Sequence, residues 1–235
     1  DALEREIEFA AVKFAGRHLN SIYIGGGTPT TLEPYQLDRL IRKIKCSFDL
    51  SDCLEFTVEA GRPDSITEEK LKVIKNHNIT RISINPQSMQ QKTLDVIGRK
   101  HTVEEIKEAY ALARKTGFDN INMDIIAGLP GEDISDMEDT LAQIAQMHPD
   151  SLTVHSLAIK RAARMEMEDL NRDAKGTEEI VYGMMERAEK EAKDMELLPY
   201  DIQYTYYGRK TIYYCRRSRS IDKDCIEGSD SYAGQ

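Results

Sequence analysis

Five short runs rich in valine, isoleucine and aromatic residues each stop at a turn and give way to a segment with apolar residues at helical spacing. That alternation confines the chain to a parallel sheet wrapped by helices. The runs cover residues 21–24, 54–59, 81–85, 121–126 and 151–155. Between them, 31–48 sets Leu37, Leu40, Ile41, Ile44 and Phe48 on one face behind Glu33-Pro34. Thr67-Glu68-Glu69-Lys70 opens a helix to residue 76, Thr102-Val103-Glu104-Glu105 opens one ending at Lys115 and Gly117, and 135–147 reads as another. Parallel neighbours joined by helices need crossovers, and these are right-handed in nearly every case. The chain opens inside a helix, with Leu3, Ile7, Ala10, Ala11 and Phe14 on one face of residues 1–17. A (β/α) barrel does not normally start mid-unit, so the expectation is that a first strand and its loop precede this 235-residue piece.

The residues at the downstream end of each run are more telling than the runs themselves. Gly25, Gly26 and Gly27 remove every side chain where the first strand stops, which lets a ligand touch bare main chain, and Thr28-Pro29 then forces an extended turn. Glu59 ends the second run, Gln87 follows the third, Asp124 and Gly128-Leu129-Pro130-Gly131-Glu132 close the fourth, and His155 closes the fifth. In a (β/α) barrel these ends open on the face where active sites are built. Taken singly, each has an ordinary explanation: a solvated strand end, a surface charge, a turn cap or a packed histidine. Together with Arg99 they suit a zwitterionic, hydroxyl-rich ligand. Arg99 can pair with a carboxylate, Gln87 and Asp124 can bond ribose-type hydroxyls, and Glu59 can accept from an ammonium. No Ser-His-Asp order stands out, and Lys160 is the one lysine near a strand end, so difficult chemistry here belongs to a cofactor.

A formal charge of −9 argues against a nucleic-acid surface as the main business of the chain. No apolar run reaches membrane-spanning length and no secretory signal opens the sequence, so the expected setting is cytoplasmic. Cys46, Cys53, Cys215 and Cys225 are scattered without CxxC spacing and read as incidental thiols in a reducing compartment.

The assembled blocks resemble the radical S-adenosylmethionine (SAM) enzymes, specifically the oxygen-independent coproporphyrinogen III oxidase (coproporphyrinogen dehydrogenase) family, in wording nearest its HemZ-like branch. They are Tyr23-Ile-Gly-Gly-Gly-Thr-Pro-Thr30, Val58-Glu-Ala60, Arg81-Ile-Ser-Ile-Asn-Pro-Gln87-Ser88, Gly98-Arg99 with His101-Thr102, Asn122-Met-Asp124-Ile-Ile-Ala-Gly-Leu-Pro-Gly131 and Leu152-Thr-Val-His-Ser-Leu-Ala158-Ile-Lys-Arg161. The likeness covers residues 1–198. It implies a partial (β/α)6 TIM-like barrel in which a [4Fe–4S] cluster reduces SAM and the resulting 5′-deoxyadenosyl radical takes hydrogen from propionates of coproporphyrinogen III. Carbon dioxide then leaves and vinyl groups remain.

By the same resemblance Gly25, Gly26, Gly27, Thr28 and Glu59 hold the amino end of SAM, Arg99 its carboxylate, Gln87 and Asp124 its ribose, and Ile126 and Ala158 its adenine. His155, Lys160, Arg161 and Arg164 are candidates for the tetrapyrrole substrate. The partners implied are that substrate and an electron donor such as flavodoxin or ferredoxin, with no nucleic acid. The family's CxxxCxxC cluster loop is missing from this sequence. The piece alone is therefore expected to be inactive, because an iron–sulfur cluster needs thiolate ligands.

The expected organisation is a truncated barrel over 1–160, a helical extension over 161–198 that includes a helix from 182 to 197, and a divergent Tyr-rich, basic tail over 199–235. Residues 202–214 alternate as an edge strand or hairpin would, and 216–235 read as disordered. Two rival readings remain open: a haem-binding relative on the same fold, and a phosphate-binding (β/α) barrel lyase whose glycine turns cradle phosphate.

Overall fold

The computed structural model describes residues 2–157, 174–204 and 210–216. Its strands form one seven-stranded sheet in the order β1-β2-β3-β4-β5-β7-β6. The strands are β1 (Ser21–Ile24), β2 (Glu55–Glu59), β3 (Arg81–Gln87), β4 (Ile121–Ala127), β5 (Ser151–Ser156), β6 (Leu197–Tyr204) and β7 (Lys210–Arg216). The helices are α1 (Ala2–Lys13), α2 (Pro34–Ser47), α3 (Glu68–Asn76), α4 (Gln91–Val96), α5 (Val103–Lys115), α6 (Ile134–Met147) and α7 (Ala174–Asp194).

The chain divides into two compact units, residues 1–85 with 104–121, and 86–103 with 122–235. In the first, β1 pairs in parallel with β2, and β2 with β3. Leu37, Ile41, Val58, Leu71, Ile74 and Ile82 are fully buried in its core. Pro34 begins α2 behind a reciprocal capping box between Glu33 and Gln36, and the Thr67 hydroxyl accepts from the Lys70 amide to begin α3. Among the described residues α1 contributes only Ile7 to the core, whereas Leu3 and Phe14 of its expected inward face are 49% and 43% exposed. The helix packs on α2, with the ion pairs Glu4–Arg39 and Glu8–Lys43 between the two.

In the second unit β4 and β5 pair in parallel, and β7 then adds antiparallel to β5 with β6 outside it. Met123, Ile125, Leu152, Val154 and Tyr214 are fully buried. The helix expected to reach 197 stops at Asp194. Glu196 takes a left-handed backbone (φ 61°) and its amide donates to the Lys193 carbonyl, which turns the chain into β6 at Leu197. The hairpin is thus longer than the alternation over 202–214 implied, and it fills the edge beside β5. Of residues 216–235, expected to be disordered, Arg216 instead ends β7 opposite Leu197, and 217–235 lie outside the described residues, as does Cys225. No described helix is long and apolar enough to cross a membrane.

Candidate functional site

In the first unit the glycine turn and a carboxylate meet directly. The Gly26 amide donates to Glu59 Oε2 at 3.1 Å, and Asn85 Nδ2 donates to Glu59 Oε1 at 2.7 Å. Ser83 Oγ donates to Asn85 Oδ1 at 2.9 Å and so fixes which way the amide faces. The strand geometry produces this arrangement. Glu59 and Ser83 are register partners across β2 and β3, and Asn85 lies two residues on, on the same side of its strand.

Gly26 has φ 77°, a conformation in which a side chain is strained. A Cβ on Gly25 would lie 3.0 Å from Glu59 Oε2 and 2.1 Å from the Tyr23 ring, so the missing side chain is what lets the carboxylate approach. Behind the turn, Thr28 is half-buried and its carbonyl accepts from the Thr31 amide and hydroxyl. Lys70 Nζ donates to the Thr30 carbonyl at 2.7 Å, and the Thr30 and Ser65 hydroxyls lie 2.6 Å apart. The turn is thereby held as a rigid, side-chain-free cradle whose charge suits an ammonium.

The second unit carries the other residues. Asp124 is 9% exposed and accepts from Asn122 Nδ2, while Thr153 Oγ1 donates to Asn122 Oδ1 at 3.1 Å. Register aligns these positions in rows: Asp124 opposite Thr153 and Thr153 opposite Tyr213, then Ile126 opposite His155 and His155 opposite Thr211. Residues directly opposite share a face of the sheet. Half-buried Ile126 therefore has half-buried His155 beside it, and His155 Nδ1 lies 3.0 Å from Thr211 Oγ1. A bulge between Pro199 and Asp201 in β6 brings the Tyr200 ring to 5.9 Å from Tyr213.

Gln87 ends β3 with a left-handed backbone (φ 69°), half-buried, in front of a firmly tethered segment. Ser88 Oγ donates to Glu132 Oε1 at 2.5 Å and accepts from the Gln90 amide, the Met89 amide donates to Thr140 Oγ1, and Lys92 pairs with Asp136. Burial holds the Glu132 carboxyl above its ordinary value. The Ser88 and Thr93 hydroxyls and Lys92 act against that shift, and Asp136 adds to it. Arg99 is half-exposed just after α4, its amide bonded to the Leu94 carbonyl.

Of the residues expected from sequence, Gly26 and Glu59 are brought into contact, and Asp124, Ile126 and His155 fall on one face. Gln87 and Arg99 flank the tethered stretch. Ala158, Lys160, Arg161 and Arg164 lie outside the described residues. Sequence reading missed Ser83 and Asn85, Asn122, Thr153 and Thr211. The signal was there for the β3 pair, since a serine and an asparagine alternate with Ile82 and Ile84 in a strand buried on both faces.

The cysteines do not fit an iron–sulfur cluster. Cys46 is exposed, Cys53 and Cys215 are half-buried, and among the described residues no group of three or more His, Cys, Asp or Glu could hold a metal ion.

The family model "Radical SAM superfamily" matches residues 1–144. The HemZ protein of Bacillus subtilis, named oxygen-independent coproporphyrinogen-III oxidase-like, is 43% identical over 209 residues, which is 83% of this chain and 42% of the relative. The haem chaperone HemW of the same organism is 36% identical over 68% of the chain and 42% of its own length. The oxygen-independent coproporphyrinogen III oxidase of Escherichia coli is 33% identical over 67% of the chain and 34% of its own length. The chain thus spans less than half the length of these relatives. The solved structure of the E. coli enzyme HemN superposes with a TM-score of 0.76 at 24% identity, covering 98% of this chain and 50% of that one. With the family model matching more than half its length and HemZ matching most of it, the chain belongs to the radical SAM superfamily.

Proposed function

We propose that this chain is the SAM-binding part of an oxidoreductase of tetrapyrrole synthesis, which converts propionates of coproporphyrinogen III to vinyl groups by oxidative decarboxylation. The observation that carries the SAM half of this reading is the placement of Glu59 between the Gly26 amide and Asn85, beside a backbone with no side chains. The residue roles follow from chemistry. Gly25, Gly26, Gly27, Thr28 and Glu59 take the ammonium, and Arg99 takes the carboxylate. Gln87 and Asp124 take the ribose, and Ile126, with Ala158 beyond the described residues, takes the adenine. Bound SAM supplies the hydrogen-abstracting group, and the work of these residues is to hold and orient it. The substrate half is supported by 43% identity to HemZ and 33% to the E. coli oxidase. His155 is the described candidate for substrate contact; Lys160, Arg161 and Arg164 are the others. A flavodoxin or ferredoxin is the class of electron donor this chemistry needs.

A second reading, that of a haem chaperone, is favoured by the 36% identity to HemW. The phosphate-lyase reading falls with the family.

Two measurements test the proposal. Calorimetric titration of the chain with SAM should give binding that Glu59→Gln weakens roughly 10- to 100-fold, the worth of a charge-assisted hydrogen bond. Equal affinity in the variant removes the ammonium assignment. The full-length protein, reconstituted anaerobically with iron and sulfide, should cleave SAM faster when coproporphyrinogen III is added and release carbon dioxide. Haem binding without decarboxylation selects the chaperone reading instead.

A further inference from the structure

The carboxylate beside the glycine turn is held by two neutral donors. Among the described residues, the Gly26 amide bonds Glu59 Oε2 at 3.1 Å and Asn85 Nδ2 bonds Oε1 at 2.7 Å. A lysine or arginine in either place would offset the carboxylate's charge, whereas an amide steadies the group and adds no charge. Asn85 is 5% exposed in a strand that buries Ile82 and Ile84, where an amide is costly unless it is bonded. Its orientation follows from chemistry. A carboxylate only accepts, so the NH2 end must face Glu59, and Ser83 Oγ donates to Oδ1 at the other end at 2.9 Å. The backbone supports the same arrangement. The Ala60 amide donates to the Ser83 carbonyl at 2.8 Å and fixes β2 against β3, while Pro86 keeps Asn85 extended, with its side chain on the Glu59 side. At Gly61 a Cβ would lie 3.3 Å from Asn85 Nδ2 and 3.5 Å from Glu59 Cγ, so bare main chain also makes room for the pair.

We propose that Asn85 is a positioning residue that fixes the Glu59 carboxylate for the amino end of SAM, and that its neutrality is what lets the site select an ammonium. Gly26 and Asn85 occupy two of the roughly four acceptor positions of the carboxylate. The others are presented beside the side-chain-free turn in a single rotamer. Without Asn85 the carboxylate would have to be ordered at the moment of binding, at a cost in affinity. The ligand named here rests on the SAM reading of the site, whereas the hold of Asn85 on Glu59 stands on the strand geometry alone.

The test has two arms. In the first, the chain is titrated calorimetrically with SAM and with 5′-methylthioadenosine, which keeps the nucleoside and the sulfur and lacks the amino-acid end. Asn85→Leu, of similar size, and Asn85→Ala should each bind SAM about tenfold more weakly and bind methylthioadenosine as the unmodified chain does. Equal losses for the two ligands would make Asn85 merely structural, and unchanged SAM affinity in both variants overturns its role in recognition. The second arm needs no ligand. In 15N–1H spectra of the chain, the Gly26 amide proton, bonded to Glu59, should move upfield in both variants as the carboxylate loses its second anchor. A Gly26 signal that stays in place overturns the hold of Asn85 on Glu59. If the unmodified chain binds neither ligand, the SAM reading of the site fails, while the Gly26 signal still decides the Asn85 assignment.

Discussion

At the scale of single residues, backbone shape and buried charge set two separate costs. Gly26 has open space where a Cβ would go, so its φ of 77° is the whole obstacle to a side chain. Gly26→Ala should therefore lower stability by about 1–2 kcal/mol, the cost of a left-handed non-glycine residue, as read from the urea midpoint. Glu132 raises a different matter. Its carboxyl is lifted above the ordinary 4.5, chiefly by burial, with Ser88, Thr93 and Lys92 opposing the shift and Asp136 reinforcing it. A carboxyl whose folded pKa is raised binds its proton more tightly in the folded state. Its contribution is then fully present below pH 4.5 and is lost as pH rises through the folded value. Glu132→Gln keeps an acceptor for Ser88 and removes the titration. The variant should match the unmodified chain near pH 4 and exceed it in melting temperature at pH 7; a constant gap between the two curves would show that Glu132 does not titrate in this range.

Whole elements show what sequence can and cannot disclose. The parallel strands were legible because each joins a β-branched run to a breaker, and their limits differ from expectation by only a residue or two at most ends. β3 runs on through Pro86 to Gln87, where a proline suggested an earlier stop. Glu59 was legible as a carboxylate at a strand end, whereas Asp124, expected at one, sits in the middle of β4. Asn85 was not legible as the partner of Glu59, because a hydrogen bond between side chains on separate strands depends on register, which a sequence does not state; Asn122 lies two residues before Asp124 on the same side of β4, so that pairing was open to a period-two reading. The hairpin was half legible. Its alternation was visible, but nothing local showed that Glu196 would take a left-handed backbone and start β6 at Leu197. The hairpin also carries a defect. Tyr214 is fully buried in β7, its hydroxyl has no hydrogen-bond partner among the described residues, and burial, with a smaller effect of Glu189, pushes its ionisation well above the usual tyrosine range. Removing the oxygen removes an unsatisfied group and leaves the ring packing intact. Tyr214→Phe should therefore raise stability by about 1 kcal/mol in denaturant titration, and a loss of that size would reveal a partner for the hydroxyl.

Across the whole molecule, exposed acids with lowered pKa values set the acid limit. Arg39 holds Glu4 down at about 2, against an ordinary 4.5. Arg42 and then His77 lower Asp38, the Ser51 amide lowers Asp49, Lys72 lowers Glu68, and Ser135 lowers Asp133. A carboxyl with a depressed folded pKa contributes stability above its unfolded value and loses it as pH falls through the folded one. For the aspartates that loss begins near 3.8 and for the glutamates near 4.5, with Glu4 still titrating at about 2. These groups lie at the surface, where each ion pair is weak and screened by salt. The caps of Asp49 and Asp133 are short hydrogen bonds to neighbouring backbone and hydroxyls, which salt screens far less. The formal charge of −9 at neutral pH works the other way, since self-repulsion among the excess acids is relieved as they protonate. Melting temperature measured from pH 7 to pH 2 should accordingly hold or rise slightly toward pH 5, then fall steeply below about pH 4.5. Repeating the scan in 0.5 M sodium chloride, where the Debye length is about 4 Å, should flatten the part of the fall that belongs to the Arg39, Arg42 and Lys72 pairs and leave the part that belongs to the helix and turn caps. A fall of equal depth in both salts would assign the acid limit to capping hydrogen bonds and take the ion pairs out of it.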